Sequence, residues 1–148
     1  MSYSEADKEL FRQILMEHYN NPRNKGLIDN EGYLTVHLKN PSCGDDLTIQ
    51  VRFEGDRLAD IRQEGTGCAI CCSSASVMSE RLAGLEIPEA ETVIQAFKDL
   101  VSGEGCDEDL LEDATAFQGV ADLPPRIKCA TLAWLACEEA IKEKKHEH

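Results

Sequence analysis

The fold is decided by residues 47–64, whose sequence is LTIQVRFEGDRLADIRQE. Apolar side chains occupy every second position from Leu47 to Phe53, which is the period-two pattern of a half-buried β-strand. Gly55-Asp56 then predicts a tight turn, and residues 58–64 predict the strand that returns from it. With a further strand at residues 33–39, the sequence predicts a three-stranded antiparallel meander.

Helical patterns lie on both sides of this predicted sheet. Apolar residues recur at three- and four-residue intervals from Lys8 to Tyr19, the spacing of an amphipathic helix. Further helices are predicted at residues 69–83, 89–100 and 127–142. We therefore expect an α+β fold, in which an amino-terminal helix and several other helices pack on one side of a three-stranded antiparallel sheet.

Residues 103–122 differ from the rest of the chain. They carry seven acidic residues, no basic residue and three glycines. We expect an acidic insertion that forms a loop or a short helical excursion over the surface, outside the core.

The length and charge of the chain bound its function. At 148 residues, one domain spanning residues 1–148 is expected, with the acidic insertion inside it. The polar amino terminus shows neither a secretory signal nor a membrane span, so we expect a cytoplasmic protein that does not act at a membrane. A formal net charge of −13 disfavours nucleic acid as a partner, because binding to phosphates requires basic side chains.

Three of the seven cysteines lie in segments punctuated by glycine and proline. These segments are NPSCGD at residues 40–45, GTGC at residues 65–68 and PPRIKC at residues 124–129. An odd number of cysteines in a reducing compartment argues against a disulfide framework, so metal ligation or thiol chemistry is the better interpretation. A closed zinc site needs four ligands, which can be thiolates and carboxylates. The segments supply four such groups: Cys43, Asp45, Cys68 and Cys129. The alternative is that the cysteines are small buried residues.

Local sequence favours ligation at these positions. Gly44 gives the loop the freedom to turn Cys43 and Asp45 toward one ion. We expect Cys68 and Cys129 each to precede or open a helix, where unpaired amides stabilise a thiolate. Two cations, Arg126 and Lys128, lie at the start of the helix predicted at residues 127–142. They are either solvated, or they stabilise a sulfur anion, or they engage a partner.

The remaining cysteines have several interpretations. Cys71 forms a Cys-x-x-Cys pair with Cys68, which could ligate metal, form a redox pair or simply pack within a helix. We expect Cys72 and Cys137 to be packing residues and Cys106 to be a thiol without a role. Among the histidines, only His18 is considered for a partner surface.

Four segments together resemble a known family. They are EHY with PRN at residues 17–24, NPSCGD at 40–45, GTGCAI with SAS at 65–76 and RIKCATLAW at 126–134. The chain resembles the IscU/SufU-like (NifU amino-terminal) family of iron-sulfur cluster assembly over nearly its whole length, which implies a SufE/IscU-like fold. Scaffold members of that family typically carry a histidine before the third cysteine, where this chain has Lys128. That residue and the insertion resemble the SufU-type branch.

The resemblance to the SufU-type branch implies a zinc-bound sulfur acceptor for a SufS-type cysteine desulfurase, with Cys43, Asp45, Cys68 and Cys129 as zinc ligands. In that branch a histidine of the desulfurase is thought to replace the first cysteine, which frees Cys43 as the persulfide acceptor. Asp45 would keep the site labile, and Arg126 would dock the partner or stabilise an anion. A SufBCD-type scaffold is a downstream recipient consistent with the branch.

Two other functions stay open at the level of sequence. In the first, the protein is a scaffold on which a [2Fe-2S] cluster is built by Cys43, Cys68 and Cys129 with Asp45. In the second, it is an adaptor with a purely structural zinc ion. Cys71 and Cys72 depart from the family pattern and leave alternative ligation or a relay thiol open.

Overall fold

The computed structural model describes residues 4–29, 31–105 and 107–146. In chain order, the elements are α1 (Glu5–Asn20), β1 (Tyr33–Asn40), β2 (Asp45–Glu54), β3 (Arg57–Thr66), α2 (Ala69–Leu82), α3 (Ile87–Val101), α4 (Glu108–Leu111), a 3-10 helix (Glu112–Asp122) and α5 (Pro124–His146). The α+β class predicted from sequence is confirmed.

The sheet is the predicted antiparallel meander, with strand order β1-β2-β3. Val36 faces Ile49 across the first pair of strands, and Val51 faces Ile61 across the second. All four side chains are buried, because alternate positions of each strand face the helices. The first two strands extend further than predicted, so that Asn40 and Asp45 pair at the end of the sheet. The loop between them therefore lies at one end of the molecule.

The core lies between this sheet and helices α2, α3 and α5. Trp134 of α5 stacks on Phe97 of α3, with ring centroids 4.1 Å apart. Its indole N–H donates to Ser74 Oγ of α2 at 2.9 Å, which satisfies a polar group that is otherwise enclosed. Leu135, next to Trp134 on the same helix, lies outside this core and is 38% exposed.

The acidic insertion contributes to the core, contrary to the sequence-based expectation. Leu111, Ala114 and Phe117 are fully buried, and Phe117 meets Phe97 edge to face with centroids 5.7 Å apart. The acidic side chains of this segment are exposed and the apolar ones face inward, so its composition concealed an amphipathic pattern. The expectation for Cys106 falls outside the described residues.

Two features hold the amino-terminal part of the chain against this core. Helix α1 begins three residues earlier than predicted because Ser4 and Asp7 form a capping box. The segment after α1 crosses to the sheet, where the Gln50 side chain accepts from the Ile28 amide at 2.7 Å and donates to the Ile28 carbonyl at 2.9 Å. Among the described residues, no helix is both long and apolar enough to cross a membrane.

Candidate metal centre

The first thiol lies in the turn that joins β1 to β2. The Cys43 amide donates to the Asn40 carbonyl at 3.2 Å, and the Gly44 amide donates to the Pro41 carbonyl at 3.4 Å. Gly44 has φ +73°, a conformation that glycine adopts without the strain imposed by a side chain. The turn leaves Cys43 half-buried at the end of the sheet and places Asp45, which is 2% exposed, at the first position of β2.

The second thiol lies between β3 and α2, as predicted. Cys68 is the N-cap of α2, and its Sγ accepts from the Cys71 amide at 3.4 Å. Its own amide donates to Asp45 Oδ1 at 3.0 Å. Gly67 allows this close approach, because a Cβ at that position would lie 2.5 Å from the same carboxylate oxygen. The glycine that precedes Cys68 therefore makes room for Asp45.

The third thiol lies inside a helix, contrary to prediction. Helix α5 begins at Pro124, so Cys129 lies in its second turn, beyond the amides that would stabilise an anion. Burial raises the pKa of the Cys129 thiol, and hydrogen bonds with Cys43, Asp45 and Cys68 raise it further. The prediction of a helix-stabilised thiolate is therefore wrong for Cys129, because its raised pKa favours the protonated thiol when no metal ion is bound.

The fold brings the predicted site residues together from three separate segments of the chain. The Sγ atoms of Cys43 and Cys129 and a carboxylate oxygen of Asp45 all lie within 4.8 Å of one another. The Cys68 thiol is not part of this close group. It adjoins the group through a hydrogen bond with the Cys129 thiol, and the Cys68 backbone amide donates to Asp45 Oδ1. We call these four residues the thiol cluster. It combines three soft donors with one hard donor, as a zinc site with mixed ligands does.

Asn40 also belongs to this site, although sequence reasoning gave it no role. Its Nδ2 lies 3.3 Å from Asp45 Oδ2 and 3.6 Å from Cys129 Sγ, and the residue is only 6% exposed. Each carboxylate oxygen of Asp45 therefore accepts one hydrogen bond: Oδ2 from Asn40 Nδ2 and Oδ1 from the Cys68 amide. The sequence did contain a signal for this role of Asn40. The short turn of the β1–β2 hairpin places Asn40 directly opposite Asp45.

Arg126 reaches the thiol cluster from the first turn of α5. Its Nη1 donates to Cys43 Sγ at 3.9 Å, while the Cys43 thiol approaches the Pro125 carbonyl at 4.0 Å. A hydrogen bond to Cys129 and the nearby sulfur atoms raise the pKa of the guanidinium. Of the two predicted roles for Arg126, contact with sulfur is the one that the geometry favours. Lys128 is exposed.

The other described cysteines lie outside the thiol cluster. Cys71 is buried, and desolvation raises the pKa of its thiol, so it packs in the core. Cys72 is half-buried and its thiol donates to the Gly67 carbonyl at 3.7 Å. Cys137 is enclosed within α5 and the core, where burial raises the pKa of its thiol to about 12.

Fold and site together define a class of protein: a small α+β domain that gathers thiols and a carboxylate at one end of a three-stranded sheet. The chain belongs to the family described as the NifU-like N terminal domain, whose model matches residues 10–147, and thus to the SufU and IscU proteins of iron-sulfur cluster assembly. The resemblance seen in the sequence is confirmed.

Both branches of the family contain similar relatives. The zinc-dependent sulfurtransferase SufU of Bacillus subtilis is 39% identical over 142 residues, which cover 95% of each chain. The iron-sulfur cluster assembly scaffold protein IscU of Streptococcus pyogenes is 38% identical over 134 residues, covering 90% of this chain and 83% of that protein. A crystal structure from Fervidobacterium islandicum, described as a candidate iron-sulfur cluster assembly scaffold for the SUF system, has a TM-score of 0.79 at 32% identity and covers 94% of this chain and 96% of that one.

Proposed function

We propose that this protein accepts persulfide sulfur from a SufS-type cysteine desulfurase, with Cys43 as the acceptor and with zinc held by Cys43, Asp45, Cys68 and Cys129. The observation that carries the proposal is the unequal burial of the thiol cluster. Cys129 and Asp45 are enclosed, whereas Cys43 and Cys68 are both half-buried. The thiol of Cys68 is engaged as the N-cap of α2, which leaves Cys43, on its turn, as the thiol best able to meet a partner.

The donor set supports zinc as the resident ion. Among the described residues, the thiol cluster contains no cation other than the guanidinium of Arg126 at its edge. Burial raises the pKa of Cys129, and hydrogen bonds with Cys43, Asp45 and Cys68 raise it further, so these potential ligands face one another. When bound, zinc would keep the thiols deprotonated and shield them from oxidation. Because Asp45 contributes an oxygen, this set of ligands is less soft than four cysteines would be.

Sulfur transfer then follows from the position of Cys43. As a thiolate, Cys43 attacks the outer sulfur of the donor persulfide, so that a new S–S bond forms on Cys43. The S–S bond of the donor breaks, and the donor cysteine leaves as a thiolate. The persulfide proton stays on the transferred sulfur or passes to solvent. Arg126, 3.9 Å from Cys43 Sγ, is placed to stabilise the anionic sulfur during this exchange.

A desulfurase activation assay tests the proposal. A SufS-type desulfurase releases alanine as it forms its persulfide, so alanine production is measured with and without this protein, together with the zinc content of each sample. We expect the wild-type chain to stimulate turnover and Cys43→Ala to abolish the stimulation. Cys72→Ser is the matched control, because its half-buried thiol lies outside the thiol cluster. Full stimulation by Cys43→Ala would refute the acceptor assignment.

The same sample separates the two other functions. Protein purified without oxygen would carry a visible chromophore and pass on a [2Fe-2S] cluster if it were a scaffold. Tightly held zinc without a chromophore supports sulfur transfer. An adaptor with structural zinc would have no effect on desulfurase turnover, and its cysteine variants would unfold.

A further inference from the structure

A second group of potential metal ligands lies outside the thiol cluster. It consists of His18 on α1, Glu80 on α2 and Asp113 at the start of the 3-10 helix. The side chain of His18 is only 2% exposed, whereas the carboxylates of Glu80 and Asp113 are about half exposed. One ligand atom of each residue lies within 4.8 Å of the other two. We call this group the histidine cluster.

The spacing of the histidine cluster is longer than hydrogen bonding requires. His18 Nε2 lies 3.6 Å from Asp113 Oδ2 and 3.9 Å from Glu80 Oε1. Nitrogen–oxygen hydrogen bonds are usually about 2.9 Å long. Ligands that each lie about 2.0–2.1 Å from a tetrahedral zinc ion are separated from one another by roughly 3.4 Å. The observed distances are therefore closer to those of ligands around a common ion.

The other ring nitrogen of His18 also has a hydrogen-bond partner. His18 Nδ1 lies 2.7 Å from Ser76 Oγ, which also accepts the Arg23 amide at 2.8 Å. When Nδ1 donates its proton to Ser76, Nε2 presents a lone pair to the two carboxylates. A hydrogen bond of this kind fixes the ring and its tautomer in metal sites.

The charges around the histidine cluster leave the ligand atoms available. Arg23 Nε contacts Glu80 Oε2 at 3.4 Å, whereas the contact of His18 Nε2 at 3.9 Å is with the other oxygen, Oε1. Arg81 pairs with Glu112 at 3.0 Å rather than with Asp113. The Nε2 atom of His18 and one oxygen of each carboxylate therefore form a set of ligand atoms that a cation can reach.

We propose that His18, Glu80 and Asp113 bind a divalent first-row transition ion, with water completing its coordination. One imidazole nitrogen and two carboxylate oxygens suit Zn²⁺ better than Ca²⁺ or Mg²⁺, which prefer oxygen ligands alone. The ion would tie α1 and α2 to the acidic insertion, since each of the three elements supplies one ligand. This site shares no residue with the thiol cluster and does not depend on the function proposed for it.

Cadmium provides a probe that distinguishes the two clusters. The full chain is titrated with ¹¹³Cd²⁺, because the resonance of cadmium bound to thiolates is well separated from that of cadmium bound to nitrogen and oxygen. We expect a resonance of the nitrogen–oxygen type in the wild type and its loss in Asp113→Asn. In a parallel calorimetric titration with Zn²⁺, the same substitution should weaken the corresponding binding event by about ten-fold or more.

Asp109→Asn is the matched control. It removes the same charge from an exposed position of the same acidic segment, away from the histidine cluster. Asp113→Asn changes a half-exposed side chain, so it should fold, and circular dichroism checks that it does. The proposal is overturned if cadmium shows thiolate-type resonances only. It is also overturned if the two variants weaken binding equally, since that result would indicate general attraction of cations to a chain of net charge −13.

Discussion

Replacing Asn40 by alanine should weaken both the fold and the metal affinity of the thiol cluster. Asn40 Nδ2 is the donor to Asp45 Oδ2, at 3.3 Å, and both residues are buried. A hydrogen bond to a charged group contributes about 1.5–3 kcal/mol, and the distance places this bond toward the lower end. We therefore expect the free energy of unfolding of the metal-free protein to fall by about 2 kcal/mol. For a chain of this size, that corresponds to a drop in Tm of roughly 4–8 °C.

Metal binding should respond as well, because the same amide orients two of the proposed ligands. Loss of a group that positions metal ligands typically lowers affinity by about 10–100-fold. Urea unfolding of the metal-free protein gives the first quantity, and zinc competition against a chromophoric chelator gives the second. Asn21→Ala is the control, since Asn21 is exposed and its side-chain amide donates to Glu17 at the end of α1. Its effect on stability should stay within about 0.5 kcal/mol.

Two results would contradict this reasoning. If Asn40→Ala unfolded at the wild-type urea concentration, the buried carboxylate of Asp45 would not depend on the amide. If stability fell while zinc affinity stayed unchanged, Asn40 would support the hairpin without orienting the ligands.

Three further predictions concern other parts of the molecule. Ser74→Ala should lower the free energy of unfolding by about 2 kcal/mol in urea titrations, because it leaves the buried indole N–H of Trp134 without its hydrogen-bond acceptor. This loss should be smaller in a Trp134→Phe background. Gly67→Ala should displace the Asp45 carboxylate, since the new Cβ would lie 2.5 Å from Oδ1; we expect weaker zinc binding by chelator competition with an unchanged far-ultraviolet circular dichroism spectrum. Because burial raises the pKa of Cys137 to about 12, the folded state holds this proton more tightly than the unfolded state does. Stability should therefore fall as pH rises from about 9 toward 12, and Cys137→Ala should reduce the slope of unfolding free energy against pH in that range.

Elements with a simple period were predictable from the chain. The alternation from Leu47 to Phe53 gave β2, and the turn residues Gly55-Asp56 gave its partner, because both signals depend on neighbouring residues alone. The acidic insertion was misjudged, since its charge obscured the inward-facing Leu111 and Phe117. The start of α5 was also placed too late, which put Cys129 at a helix end instead of inside the helix.

Only part of the candidate metal centre could be predicted from residues that are close together in the sequence. Cys43 and Asp45 are two residues apart, so their proximity follows from one turn with Gly44 at positive φ. The contact of Arg126 with Cys43 and the contact of Asn40 with Cys129 each join residues more than 80 positions apart. Sequence could nominate such residues by chemical type and family motif, but their distances depend on how α5 packs against the sheet.

By itself, then, the sequence determined the α+β class and the meander and nominated the four residues of the thiol cluster, because local periodicity, turn chemistry and motif spacing are properties of short segments. Tertiary structure decided how deeply each thiol is buried, since the enclosure of Cys129 and the partial exposure of Cys43 and Cys68 depend on the packing of separate elements. It also brought buried His18 to Glu80 and Asp113, three residues with no common pattern along the chain. Burial, pKa and ligand distance arise from through-space contacts, and these exist only once the core has formed.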